Sequence, residues 1–248
     1  MAGRLFLGTS GYVYPHWRRV FYPPAVPPRE WLPFYARHFA TVELNSSFYR
    51  LPSKAAFRAW RAAVSDQFRF AVKASRYLTH LKRLKAPTAP LDRFFRRLTP
   101  LGPTLGPVLF QLPAQFHANL PRLARLLRAL QRQRRVEGVR AALEVRHVSW
   151  LVAGTFDLLR EAGVALCVHD ARVQPVTGPV TAEFVYVRRH GTGRLYHGAY
   201  TEAMLRADAR LIRGWLGEGL DVYVYFNNDG GGAAVRNARR LAVLLERS

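Results

Sequence analysis

Residues 221–238 read DVYVYFNNDGGGAAVRNA. The segment opens with alternating valines and aromatics, ends its apolar run at Asn227, Asn228 and Asp229, and passes through Gly230, Gly231 and Gly232 into a helical pattern. A strand that ends in polar groups and turns through glycine into a helix is one β-loop-α unit of an α/β fold.

The unit recurs. Segments 4–8, 40–45, 68–74, 107–112, 140–146, 164–170 and 183–190 are rich in β-branched or aromatic residues and read, with 221–227, as eight strands. Between them Trp31, Phe34, Tyr35, His38 and Phe39 share one helical face, as Leu123, Leu126, Leu127 and Leu130 nearly do. Ser53, Asn119 followed by Pro121, and Thr201 stand where helices need amino-terminal caps, and Gly163 closes the helix of TFDLLREA. Eight strand-helix alternations in 248 residues favour a single (β/α)8 TIM barrel over 1–248 rather than an open doubly wound sheet. The link ARVQPVTGPVTA at 171–182 carries two prolines and is expected to lack a proper helix.

Composition narrows the function. The one cysteine, Cys167, lies in the apolar run VALCV and reads as a core thiol, so no internal disulfide forms. The start MAGRLFLGTSG is too short in apolar residues for a secretory signal, and no run is long enough to span a bilayer, so a cytoplasmic protein without a membrane partner is expected. Basic residues outnumber acidic ones 38 to 16, a net charge of +22, and only Lys54, Lys73, Lys82 and Lys85 are lysines. Arginine forks match phosphate geometry, so an anionic substrate or nucleic acid is the first partner to consider. The bland alternative is a genomic composition bias, with the charge spread over outer helix faces such as RLARLLRALQRQRR at 122–135.

In such a barrel the active site lies at the carboxyl ends of the strands, and alternate residues face the interior. With Val42, Leu44, Phe70, Val72, Phe110, Leu112, Leu143, Val145, Val222, Val224 and Phe226 given to the helix layer, Glu43, Asn45, Lys73, Gln111, Glu144, Arg146 and Asn227 point inward. Taking Tyr186 as inward brings Arg188 and His190 with it. Parallel strands covered on both sides should be apolar throughout, so a polar ring at their last inward positions reads as a site, or else as a self-satisfied structural network. The loops RHGTG and NNDGGGAAV, after strands seven and eight, stand where barrels often hold phosphate against a helix amino terminus, with Arg188 supplying a fixed charge. The plainer reading of Gly230, Gly231 and Asp229 is a tight turn with an aspartate helix cap.

The motifs GTSGYVYPHWRRVFYP (8–23), VELNSSFYRLP (42–52), FRFAVKASRYLTH (68–80), LGPVLFQLP (105–113), LEVRHVSW (143–150), FVYVRRHG (184–191) and VYVYFNNDGGGAAVRNA (222–238) make the chain resemble the YecE-like family, known as domain of unknown function 72. That resemblance implies a TIM-barrel fold without a securely assigned activity. By motif it implies a pocket on Glu43, Asn45, Tyr49, Lys73, Gln111, Glu144, Arg146, His147, Trp150, Arg188, His190, Asn227, Asn228 and Asp229. Arg189 departs from it, since an aliphatic residue usually stands between Arg188 and His190.

Within the ring Glu43, Lys73, Glu144 and His190 are the catalytic candidates, the glutamates as acid and base. Asn45, Tyr49, Gln111, Arg146, His147, Trp150, Arg188, Asn227, Asn228, Asp229, Gly230 and Gly231 are the substrate-binding candidates. Loop aromatics such as Tyr12, Tyr14, Trp17, Phe48, Tyr49, Tyr77 and Trp150 stack on substrate or plug the barrel top. No metal ligand set is assigned and no cofactor is expected. A divalent metal on Glu43, Glu144, His147, His169, Asp170, His190 or Asp229 is the rival mechanism, disfavoured by Lys73 and two arginines in the same ring. His38 and His117 read as structural. Three functions remain open: an enzyme on a phosphate-bearing substrate, a non-catalytic nucleic-acid binder, and a glycosidase-like hydrolase using Glu43 and Glu144.

Overall fold

The computed structural model describes residues 2–133, 136, 138–171, 176–193 and 196–246. Its strands are β1 (Leu5–Ser10), β2 (Thr41–Leu44), β3 (Arg69–Lys73), β4 (Leu105–Gln111), β5 (Ala141–Glu144), β6 (Ala165–Leu166), β7 (Val168–His169), β8 (Phe184–Arg189) and β9 (Asp221–Phe226). All pair in parallel in the order β6-β5-β4-β3-β2-β1-β9-β8-β7. The ring closes through the link between β6 and β7, giving a TIM-barrel-like fold.

The sequence segment 164–170 was expected as one strand and is two. Ala165 and Leu166 pair with β5, and the Cys167 amide still donates to Leu143 O at 2.9 Å. Val168 and His169 then pair with β8 instead, while Val176 folds back to exchange two backbone bonds with His169. The chain changes partner at Cys167, so regular pairing breaks there. Among the described residues of 171–182 no helix follows, as the prolines suggested, and 172–175 lie outside the described residues.

The helices are α1 (Trp31–Ala36), α2 (Ser46–Tyr49), α3 (Lys54–Ala62), α4 (Thr88–Leu98), α5 (Leu120–Gln131), α6 (Ala153–Ala162), α7 (Glu202–Gly217) and α8 (Ala233–Glu246). Four of their ends are capped by the residues the sequence marks. Ser53 accepts from the Ala56 amide, Asn119 from Arg122 and Thr201 from Met204, and Gly163 takes the left-handed conformation at φ 63°. Each cap satisfies an amide or carbonyl that the helix end leaves open.

Strand alternation sorts the core into two layers. Val42, Val72, Phe110, Leu143, Val187 and Val224 pack outward with the helices, whereas Phe6, Ala71, Leu109, Ala142, Cys167, Tyr186 and Tyr225 fill the barrel. Gly8 on β1 is required by close approach, since a Cβ there would stand 2.0 Å from Thr41 O. Arg189, odd by the family pattern, points to the helix layer and forms a bidentate pair with Asp208 of α7 at 2.9 and 2.6 Å. Its neighbours Arg188 and His190 therefore face inward. Among the described residues no helix is long and apolar enough to cross a membrane.

Candidate functional site

The site is the carboxyl-end face of the barrel, and its floor is a charge cluster. Arg188 is 1% exposed and joins two fully buried carboxylates. Its Nε and Nη2 donate to Glu43 Oε2 and Oε1 at 2.9 and 2.7 Å, and its Nη1 donates to Glu144 Oε2 at 2.7 Å. Glu43 also accepts from Ser10 Oγ and, at 2.7 Å, from the Tyr186 hydroxyl. Asn45 donates to Ser10 Oγ at 2.7 Å, which extends the network toward the mouth. Burial alone would push the Glu144 carboxyl up, but the Arg146 and Arg188 guanidiniums override it and hold it well below the usual carboxylate range. Glu144 is thus ionised and spent.

Arg146 caps this floor. Its Nε donates to Glu144 Oε1, and its Nη2 lies 3.0 Å from His190 Nε2. Because Arg146 can only donate, His190 Nε2 must accept and Nδ1 carries the proton. That proton faces Asn227 at 3.2 Å, where the amide must turn its oxygen to receive it. Burial, with Arg188 beside it, drives His190 well below its ordinary pKa, so the ring is neutral. His169 is likewise fixed, donating from Nε2 to Val145 O at 2.7 Å and accepting at Nδ1 from the Ala171 amide at 3.2 Å.

Lys73 is different. It ends β3 at the mouth, half-buried, with its Nζ 4.3 Å from the centroid of the Phe48 ring. Among the described residues it makes no ion pair and no side-chain hydrogen bond. Burial, then Arg188, lowers its pKa to about 8, and Arg146 adds to this against the pull of the two glutamates. On the same Phe48 ring packs His80, centroids 4.9 Å apart, whose own pKa burial and Lys73 lower to about 4. The remaining donors at the mouth are Gln111, which gives one bond to Leu112 O at 2.7 Å, and His147, which meets Ser149 at 2.9 Å and stacks on His117 at 3.9 Å.

The loop after β9 does not receive Arg188. Asp229 makes no side-chain cap to the following turn, and burial raises its pKa. His16 Nε2 sits 2.8 Å from Asp229 O and 3.6 Å from Oδ2, so a carboxylate and an imidazole stand where a phosphate was expected to meet an arginine. Gly231 and Gly232 have φ of 61° and 75°, and a Cβ on Gly232 would stand 2.6 Å from Val20, so turn geometry and packing account for both. Asn228 is buried and bonds Gly198 O and Asn237 at 2.7 and 3.0 Å.

The structure thus brings together Glu43, Asn45, Lys73, Glu144, Arg146, Arg188, His190 and Asn227. It places others in the core or on the rim. Trp150 is fully buried with its Nε1 donating to Phe116 O at 2.6 Å, and Trp17 and Phe48 are likewise plugs, whereas Tyr49 and Tyr77 are exposed on the rim. The glutamates expected as acid and base are tied up as counter-ions, because one guanidinium satisfies both. Of the metal donors considered, Asp170 is held by the His190 amide and the Tyr200 hydroxyl at 2.7 and 2.5 Å. Among the described residues no three His, Cys, Asp or Glu side chains form a metal-ligating group. Sequence reading missed Ser10 and His80. Continuing the inward alternation of β1 two residues beyond Gly8 would have found Ser10, while His80 lies in a one-turn π-helix, Tyr77–Leu81, whose period neither the helical nor the strand pattern reports.

With this geometry the relationships are informative. Residues 6–248 match the model of a protein family of unknown function, DUF72. The chain belongs to that family. It is 29% identical over 174 residues to the UPF0759 protein YecE of Escherichia coli K12, a match over 68% of the chain that spans 60% of that protein's length. It is 28% identical, with a TM-score of 0.86, to a DUF72 protein of Thermotoga maritima, over 98% of this chain and all of that one. D-psicose 3-epimerase of Clostridium cellulolyticum, bound to D-tagatose, shares only the fold, at 11% identity and a TM-score of 0.59 over 99% of this chain and 97% of its own.

Proposed function

We propose that this DUF72 protein is an enzyme acting on a phosphate-bearing substrate at the carboxyl-end face of its barrel, by general acid-base chemistry in which Lys73 moves the proton. One observation carries the reading: Lys73 stands at the mouth without a counter-ion among the described residues, near the partly exposed Arg146, above a floor whose glutamates are already paired. The cluster of Arg188, Arg146 and protonated Lys73 against Glu43 and Glu144 has one positive charge in surplus, which a bound anion neutralises. An amine with a pKa near 8 is matched to proton transfer at neutral pH. The glycosidase reading is weaker, since Glu144 has no proton to give.

Calorimetry at low ionic strength tests this with glycerol 3-phosphate and glycerol. The phosphate ester should bind at least about tenfold more tightly, and Lys73→Gln and Arg146→Gln should each cost about tenfold. Equal affinities for the two ligands would remove the basis of the proposal.

A second reading, nucleic-acid binding, is favoured by Arg125, Arg128 and Arg132, which line a groove of about 690 Å³ between α4 and α5. Oligonucleotide affinity that falls in Arg125→Gln and Arg128→Gln but not in Lys73→Gln would support it.

A further inference from the structure

We infer that Lys73 is a nucleophile as well as a proton carrier, and that its Nζ condenses with an aldehyde or ketone of the phosphate-bearing substrate to form a Schiff base. This rests on the function proposed above and narrows its substrate class to phosphorylated carbonyl compounds.

Three features of the geometry support it. First, no carboxylate holds the ammonium among the described residues; its neighbour is the apolar Phe48 face at 4.3 Å, which does not tie up the nitrogen lone pair. Second, the lysine backbone is rigid: Ser47 Oγ donates to Lys73 O at 2.7 Å, and Lys73 stands opposite Leu109 in the sheet. The nucleophile is thereby aimed from a strand end rather than from a mobile loop. Third, a base stands on the same ring. Thr79 Oγ1 lies 3.2 Å from Ser75 O and 2.9 Å from His80 Nδ1, and in the arrangement where its hydroxyl donates to Ser75 O it accepts from His80 Nδ1. His80 Nε2 is then left as an unprotonated acceptor. Desolvation and the nearby Arg188 favour the neutral amine, with a pKa of about 8.

The step balances without a redox partner. The Nζ lone pair attacks the carbonyl carbon as the C=O π pair moves to oxygen. Nitrogen gives up a proton, received by His80 Nε2 and returned to that oxygen, and the carbinolamine forms. The hydroxyl then takes up a proton from solvent, balancing the one the ammonium lost there on becoming the amine, and the nitrogen lone pair makes C=N as the C–O bond breaks and water departs. The resulting iminium draws electrons from the adjacent carbon.

The full chain is incubated with glyceraldehyde 3-phosphate, or with an oligonucleotide carrying an abasic site, and sodium cyanoborohydride, which delivers hydride to the iminium carbon. Peptide mass mapping then locates the secondary amine. The expected result is labelling of Lys73 at least tenfold faster than of Lys54, Lys82 and Lys85, blocked by glycerol 3-phosphate and absent in Lys73→Arg. Labelling by the triose phosphate assigns a sugar phosphate, and labelling by the oligonucleotide alone assigns an abasic nucleic acid. If glycerol 3-phosphate binds but Lys73 labels no faster than the other lysines with either probe, the Schiff base is refuted and the anion site stands. If glycerol 3-phosphate does not bind, both fall.

Discussion

Replacing Arg188 by methionine tests whether the barrel floor is one electrostatic unit. The guanidinium makes three hydrogen bonds to two fully buried carboxylates, so among the described residues its loss leaves Glu43 with Ser10 and Tyr186, and Glu144 with Arg146 and the weak Cys167 thiol donor. Removing one partner of a buried ion pair costs about 3–5 kcal/mol, because the remaining charge stays desolvated. For a chain of this size that lowers Tm by roughly 6–20 °C, read by circular dichroism at pH 7. Adding Glu43→Gln removes a stranded charge and should recover about 0.5–3 kcal/mol. The pH dependence is a second check. The folded Glu144 carboxyl lies below its unfolded value, so its contribution is present above the ordinary glutamate range and is lost as pH falls through the folded pKa. Without Arg188 that pKa moves up, so the gap between wild type and variant should narrow on acidification. A loss below about 1 kcal/mol at pH 7, with no narrowing, would refute the idea that Arg188 neutralises both glutamates.

Lys73→Met should stabilise the protein at pH 7, because the folded lysine pKa of about 8 lies below its unfolded value and the protonated form is penalised on folding. Wild-type stability should accordingly rise with pH between about 8 and 10.4, a rise that Lys73→Met abolishes in parallel denaturant titrations. On the helix side, Arg189→Met strands Asp208 and should cost about 3 kcal/mol, whereas Arg189→Met with Asp208→Leu should be nearly neutral by thermal unfolding. Equal losses in the single and double variants would show that the Arg189–Asp208 pair is not coupled.

Much of the framework could be read locally. Val42 and Leu44 alternate with Glu43 and Asn45 because a strand has period two, so the inward set follows from a few consecutive residues. Ser53, Asn119, Thr201 and Gly163 act within four positions of the groups they satisfy. The break at Cys167 was not legible, since it records a change of pairing partner between β5 and β8 and not a weak strand former. What faces the loop after β9, expected to hold phosphate, was not legible for a related reason. Gly231 and Gly232 announce a glycine-dependent turn, but whether an arginine or an aspartate faces it depends on where His16, Asp229 and Arg188 lie in space.

The sequence by itself determined the barrel, the face on which its polar residues gather and the identity of most of them, because apolar periodicity and capping are short-range properties. Which of those charges cancel was decided only by the tertiary structure. Arg188 meets Glu43 across 145 residues and Glu144 across 44, and the same closure leaves Lys73 without an ion pair among the described residues. Coulomb energy and desolvation depend on separation and burial in three dimensions, so which charges pair becomes visible only when the barrel is closed.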